Sequence, residues 1–412
     1  MTTPHPNDLP ALLHPFAKPA SPADHFISVA RGEGALVWDT DGNEYVDAMA
    51  SLWFANIGYG RAEVADAVAD QVRTLHAYHC FDPFTNGPAD ALAERLAALA
   101  PVDDPRIFLV SSGSEAVDSA MKLAKAAHIR AGRPERKLIV SRSAGYHGVT
   151  YGGTSAQGIP DNRAGFGELL PDVVNVPGGD IEAMATLFAE RGDEVAAVIS
   201  EPVQGAGGVF PPPEGYLSQL RRLCDDHGAY LILDEVICAF GRLGRWFGAE
   251  HYGVRPDLIT FAKGVTSGYV PLGGVVVGGP VHAALESDPD FILRHGHTYS
   301  GHATAAAAAL ANLDVIEGDG LLDRALAVGA RLSDGLRSLQ ADGLVTEVRG
   351  EGAVWAIELN EGASAPAARD ALLGEGVIVR PLGTALAMCP PLVITDEQVD
   401  RVVDGLARVL GT

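Results

Sequence analysis

Two apolar runs constrain this chain more than anything else in it. Ala229-Tyr230-Leu231-Ile232-Leu233 ends in adjacent carboxylates, Asp234 and Glu235, and Leu258-Ile259-Thr260-Phe261-Ala262 ends in Lys263-Gly264. Short uninterrupted runs of this kind read as strands buried on both faces of a parallel sheet. In open α/β sheets a ligand sits beyond the carboxyl ends of the strands, so an acid and an amine are expected at one pocket. A carbonyl cofactor held as a lysine Schiff base, with an acid against its pyridinium nitrogen, requires that pair. Taken singly, each group has a plainer explanation. A lysine after an apolar run snorkels to the surface, and Asp-Glu makes a solvated turn. The remaining segments weigh between these readings.

At 412 residues, with 47% hydrophobic and 20% charged residues, the chain suggests about two to three well-packed domains. Its net charge of −23 repels nucleic acid and anionic membranes, so neither is expected as a partner. Cys80, Cys224, Cys238 and Cys389 are scattered without a C-x-x-C, which fits reduced thiols in a cytoplasm. The longest apolar tract, 303–311, is far short of a membrane span.

The start of the chain, 1–24, is rich in proline and is expected to be an extended arm with Phe16 as a hydrophobic anchor. Ala35 to Trp38 and Tyr45 to Asp47 flank an Asp41-Gly42 turn and read as a hairpin. Gly58-Tyr59-Gly60 lacks the third glycine and the preceding strand of a dinucleotide-binding loop. Helical periodicity covers 62–75 and 88–100, with an aromatic loop, Tyr78 to Phe84, between them. Ile107 to Val110 then leads through Ser111-Ser112-Gly113-Ser114-Glu115 into an amphipathic helix, with Ser112 and Glu115 spaced as a capping box. Free backbone N–H groups, hydroxyls and the positive helix end make a phosphate cradle there, although an ordinary serine N-cap has the same pattern. Strands at 137–141, 195–200, 229–233, 258–262 and 274–277, with helices at 181–191 and 214–227, argue for an α/β fold with a mostly parallel sheet. His295, His297 and His302 lie close together but lack carboxylate or cysteine ligands at metal spacing, so no metal site is assigned. An alanine-rich helix follows at 303–316. The tail, with helices at 321–339 and 397–410 and strands at 353–359 and 376–380, reads as a smaller α+β unit joined by the N-terminal hairpin. The expected division is 1–60 (arm and hairpin, part of the small domain), 61–302 (large domain) and 303–412 (small domain).

Six stretches, in order, carry a resemblance: Ser112-Gly113-Ser114-Glu115-Ala116, Gly145-Tyr146-His147-Gly148, Glu201-Pro202-Val203-Gln204-Gly205, Leu233-Asp234-Glu235-Val236, Ala262-Lys263-Gly264 and His297-Thr298-Tyr299-Ser300-Gly301. Together they resemble the class III, fold-type I pyridoxal-phosphate aminotransferases over essentially the full length. The resemblance implies that Lys263 carries the cofactor and shuttles the Cα proton, and that Asp234 keeps the pyridine nitrogen protonated. It places the phosphate on Ser112, Gly113 and Ser114, with Thr298 reaching it from a neighbouring subunit, so a homodimer or tetramer with shared sites is expected. Tyr146 and Val236 would cover the two ring faces, with His147 among the cofactor contacts. Glu201 would help position the Asp234 side.

Within the family, Phe16, Trp53, Phe81, Tyr146 and Arg380 look like the substrate pocket of ω-transaminases, the amine or β-alanine:pyruvate enzymes. There an arginine at the Arg380 position pairs with a keto-acid carboxylate and swings away for an apolar amine. Ornithine and 4-aminobutyrate enzymes have a glutamate where Ala206 stands, and biotin-pathway enzymes have paired tryptophans where this chain has Trp53-Phe54. His297 departs from the aromatic residue usual before Thr-Tyr-Ser. The resemblance thus implies an ω-aminotransferase moving an amino group from an amine (S-configured where chiral) or ω-amino acid to pyruvate by a ping-pong reaction. The alternatives are adenosylmethionine-8-amino-7-oxononanoate aminotransferase and a PLP aminomutase.

Overall fold

The computed structural model describes residues 9–411. The first eight residues of the proline-rich arm lie outside the described residues. A seven-stranded sheet forms the centre, in the order Arg106–Val110, Gly273–Val277, Leu258–Phe261, Tyr230–Asp234, Val195–Ser200, Leu138–Arg142 and Val173–Val176. Gly273–Val277 runs antiparallel to both of its neighbours, and the other adjacent pairs are parallel. Every residue of the five strands from Gly273–Val277 to Leu138–Arg142 in that order is buried, which explains why they read as continuous apolar runs.

Helices cover both faces of this sheet. Gly113–Arg130 packs on it through Ala116, Val117, Ala120, Met121, Leu123, Ala124 and Ala127, a single apolar stripe. Tyr216–His227 buries Tyr216, Leu217, Leu220 and Cys224 and stops at Gly228, whose φ of 65° is the left-handed conformation a helix C-terminus favours. At about 25 cal/mol per Å² of apolar area, these buried faces hold the helices to the sheet.

The predicted hairpin is present as Leu36–Asp39 and Glu44–Asp47, and Val29–Glu33 extends it. Val377–Ile378, from the far end of the chain, pairs in parallel with Glu44–Asp47. The tail also forms a sheet in the order Val345–Glu351, Val354–Leu359, Ala385–Met388 and Arg380–Leu382. Leu321–Ala341 and Asp396–Leu410 pack against each other there, and Asp396–Leu410 begins with a Thr395–Gln398 capping box. The helix Ala303–Gly318 lies against Ala62–Leu75 and Gly87–Leu99. Among the described residues, no helix is long and apolar enough to cross a membrane.

Candidate active site

The carboxyl ends of Tyr230–Asp234 and Leu258–Phe261 open onto one cavity of about 150 Å³. Gly113, Ser114, Tyr146, His147, Glu201, Asp234, Val236 and Lys263 line it. The acid and the amine therefore do meet, as two neighbouring parallel strands must bring them.

Asp234 is buried, and both of its oxygens have partners. Oδ2 lies 2.8 Å from Nδ1 of His147, while Oδ1 accepts from the Thr260 hydroxyl at 3.0 Å and from the Val236 amide at 3.2 Å. Glu201 reaches the Asp234 side through the backbone. Its Oε1 accepts from the Tyr146 amide at 2.8 Å and its Oε2 from the Gly205 amide at 2.9 Å. Asp234 is held directly by His147 and Thr260, and Glu201 ties down the Tyr146 amide, one residue before His147. Burial pushes the Glu201 carboxyl up to about 6, against the opposing influence of His147.

Lys263 follows its strand after one residue, Ala262, and takes a left-handed backbone, φ 47°, which is strained for a residue with a Cβ. The turn that carries it is pinned by Asn312, buried in the Ala303–Gly318 helix, whose amide donates to the carbonyls of Gly264 and Val265 at 2.9 Å each. Burial lowers the Lys263 ammonium below the ordinary lysine range, and Asp234 pulls the other way. A lysine with this balance has a larger neutral fraction than a surface lysine.

The helix end at Gly113 forms the other side of the cavity. Ser112 caps it, accepting from the Glu115 amide at 3.2 Å. Glu115 does not complete the expected capping box, since its Oε2 accepts from Ser111 instead, at 2.7 Å. Ser114 Oγ accepts from the Val149 amide at 3.0 Å, so its own proton remains available for donation. A Cβ on Gly113 would lie 3.0–3.1 Å from the Val236 methyls, so glycine keeps the helix end open towards the cavity.

Other expected residues lie elsewhere. Arg380 is half-buried at the start of Arg380–Leu382, and its charge is felt at both Tyr146 and Lys263. Trp53 is 3% exposed and packs behind Gly205 rather than lining the cavity, and Ala206 packs in the same apolar cluster. Phe16, 70% exposed, lines a separate surface cavity with Val149, Tyr151 and Phe166. Phe81 is half exposed beside Gly296, and Thr298 is exposed. His295 bridges Lys122 and Ser119, and His297 faces Glu115 at 3.6 Å. Thr260 and Asn312 were not anticipated. Thr260 had a signal, as the one hydroxyl inside an apolar strand.

The aminotransferase class-III family matches this chain over residues 18–410. The chain belongs to the class-III aminotransferases. An ω-aminotransferase of Caulobacter vibrioides is 37% identical over 98% of this chain and 98% of that protein. A β-alanine–pyruvate aminotransferase of Pseudomonas aeruginosa is 35% identical over 93% of this chain and 91% of that protein. An amine transaminase from an uncultivated Pseudomonas species, solved in a PLP-bound form, superposes with a TM-score of 0.92 at 35% identity, covering 98% of each chain. This class-III aminotransferase is accordingly an enzyme of the PLP-dependent kind, with an amine and a keto acid as its substrate classes.

Proposed function

We propose that this class-III aminotransferase is an ω-aminotransferase that transfers the amino group of an amine or ω-amino acid to pyruvate, with pyridoxal phosphate as its cofactor. The observation that carries the reading is the convergence of Lys263, Asp234 and the open helix end at Gly113 on one cavity. The residues fit the cofactor. The helix end, the Ser112 and Ser114 hydroxyls and the glycine at 113 suit a phosphate dianion, and Tyr146 and Val236 offer apolar surface for a flat ring. When bound, pyridoxal phosphate supplies a pyridinium that takes up the electron pair left when a Cα proton departs.

The chain's own groups do the rest. Asp234, oriented by His147 and Thr260, would present its carboxyl group to the ring nitrogen of the bound cofactor. Lys263, with its ammonium held below the usual range, takes and returns the proton at the substrate Cα. Arg380 receives the carboxylate of the 2-oxo acid, for which a planar guanidinium gives two-point orientation. Ala206 leaves that arginine without a competing glutamate. Chiral amines are expected to be used as the S enantiomer.

Thr298 is assigned to the site of a neighbouring subunit, so the working form is at least a homodimer. Its exposure in a single chain supports this. The three-part division at 60 and 302 belongs to the same proposal, supported by the pairing of Val377–Ile378 with Glu44–Asp47. A cytoplasmic setting is supported by four unpaired cysteines.

The test is a panel of amine donors with pyruvate as acceptor, scored by alanine formed. Alanine equal to amine consumed, for β-alanine or 1-phenylethylamine, is the expected result. No alanine from any donor, or bleaching of the cofactor by S-adenosylmethionine alone, would overturn it.

A further inference from the structure

Just beyond the strand Glu44–Asp47 the backbone takes an unusual path. Ala50, Ser51 and Trp53 have φ values of 48°, 59° and 66°, in the region disfavoured for residues with a Cβ. Such a path persists only where its surroundings impose it. Asp47, 2% exposed, supplies that constraint. Its Oδ1 accepts from the Met49 amide at 2.8 Å, and its Oδ2 accepts from the Ser51 amide at 2.6 Å and from the Tyr59 hydroxyl at 2.5 Å. Tyr59 is itself fixed, because its amide and carbonyl pair with Gly34 at 2.9 and 3.0 Å.

The turn delivers Trp53. No hydrogen bond reaches its buried indole Nε1 among the described residues, so packing and the backbone beneath it alone set its position. The indole fills the space where a Cβ on Gly205 would stand. The Gly205 amide donates to Glu201, and Glu201 accepts from the amide of Tyr146, so the indole backs onto the wall of the cavity. On its other side the same strand end aligns the Arg380 segment. Asp47 is in register with Ile378, and the Ala48 amide donates to the Ile378 carbonyl at 3.1 Å. Neither Asp47 nor Tyr59 lines the cavity.

We propose that Asp47 and Tyr59 are positioning residues: a clamp that fixes Trp53 and, through Gly205, the Glu201–Tyr146 wall, and so selects the size of amine substituent the site accepts. The selectivity half of this inference rests on the aminotransferase reading above. The mechanical half does not.

The experiment uses the cofactor-loaded enzyme and the variants Tyr59→Phe and Asp47→Asn. Tyr45→Phe serves as a control that removes a hydroxyl from the same hairpin, where it donates to Asp39 instead. Hydrogen exchange should quicken by about tenfold or more in peptides spanning 49–55 and 203–207, and remain unchanged in the strand Val195–Ser200. The control should leave 203–207 unchanged. Faster exchange confined to 49–59, or spread over the whole sheet, would overturn the clamp.

The ratio of kcat/KM for 1-phenylethylamine to that for isopropylamine should shift by about fivefold or more, through KM, and the shift should vanish in a Trp53→Leu background. Additive effects of Tyr59→Phe and Trp53→Leu would overturn the selectivity role. If the unmodified enzyme uses neither amine, the exchange data still decide the clamp, and the failure belongs to the ω-aminotransferase reading.

Discussion

Nδ1 of His147 lies 2.8 Å from Oδ2 of Asp234, and both side chains are closed off from solvent. A buried carboxyl group is stable only when its oxygens are satisfied, so the histidine is part of what keeps Asp234 aimed. His147→Phe keeps a ring of similar shape and removes the bond. A lost hydrogen bond to a charged group costs about 1.5–3 kcal/mol, so kcat should fall by roughly tenfold to a hundredfold. Steady-state kinetics beside a cofactor titration check this. An unchanged kcat would show that Thr260 and Val236 suffice.

Lys263→Ala should abolish transfer and the visible absorbance of lysine-bound cofactor. The turn itself is held by Asn312 rather than by the lysine side chain. Thermal denaturation should therefore move by no more than about 3 °C. A large loss of Tm would make the lysine structural instead.

Arg380 forms no ion pair with any described residue, so its charge is available to a ligand. Arg380→Ala should raise KM for pyruvate by roughly tenfold to a hundredfold, the equivalent of about 1.5–3 kcal/mol for a charged hydrogen-bonded contact. KM for 1-phenylethylamine should change by less than about threefold on the same scale. Equal effects on the two substrates would remove Arg380 from carboxylate recognition.

Glu201 sets a pH dependence. Its folded value of about 6 lies above the unfolded 4.5, so the native state binds more protons between these values. Its contribution to stability is fully present below about pH 4.5 and is lost as pH rises through about 6, an effect of about 2 kcal/mol. Glu201→Gln cannot titrate. The stability difference, variant minus parent, should therefore become more favourable to the variant by about that amount from pH 4.5 to 7. Thermal or urea denaturation at several pH values measures it, and a flat difference would contradict the burial effect.

The parts of the fold that could be read in advance were those where burial leaves no choice of residue. Tyr230–Asp234 and Leu258–Phe261 are covered on both faces, so their sequences had to be apolar and their polar ends stood out. Val173–Val176 is a half-buried edge strand of four residues, and Val345–Glu351 carries charges on an outer strand, so neither has a clear pattern. The cavity residues next to a strand end or a helix start, Asp234, Lys263 and Ser114, were legible for the same reason. The partners that hold them were not. Asn312 reaches the lysine turn from 47 and 48 residues away in sequence, and Tyr59 bonds Asp47 through a chance of loop closure, with no local spacing to announce either.

The antiparallel strand of the central sheet has a further consequence. Gly273–Val277 stands between Arg106–Val110, which leads to the serine-capped helix, and Leu258–Phe261, which leads to the lysine. Because both neighbours run opposite to it, they run the same way as each other, and their carboxyl ends emerge on one edge of the sheet. The helix start then closes over the strand between them: a Cβ on Gly113 would lie 3.6 Å from the Ala262 Cβ, one residue before the lysine. Reversing a single strand thus makes neighbours of two chain segments that are far apart in sequence.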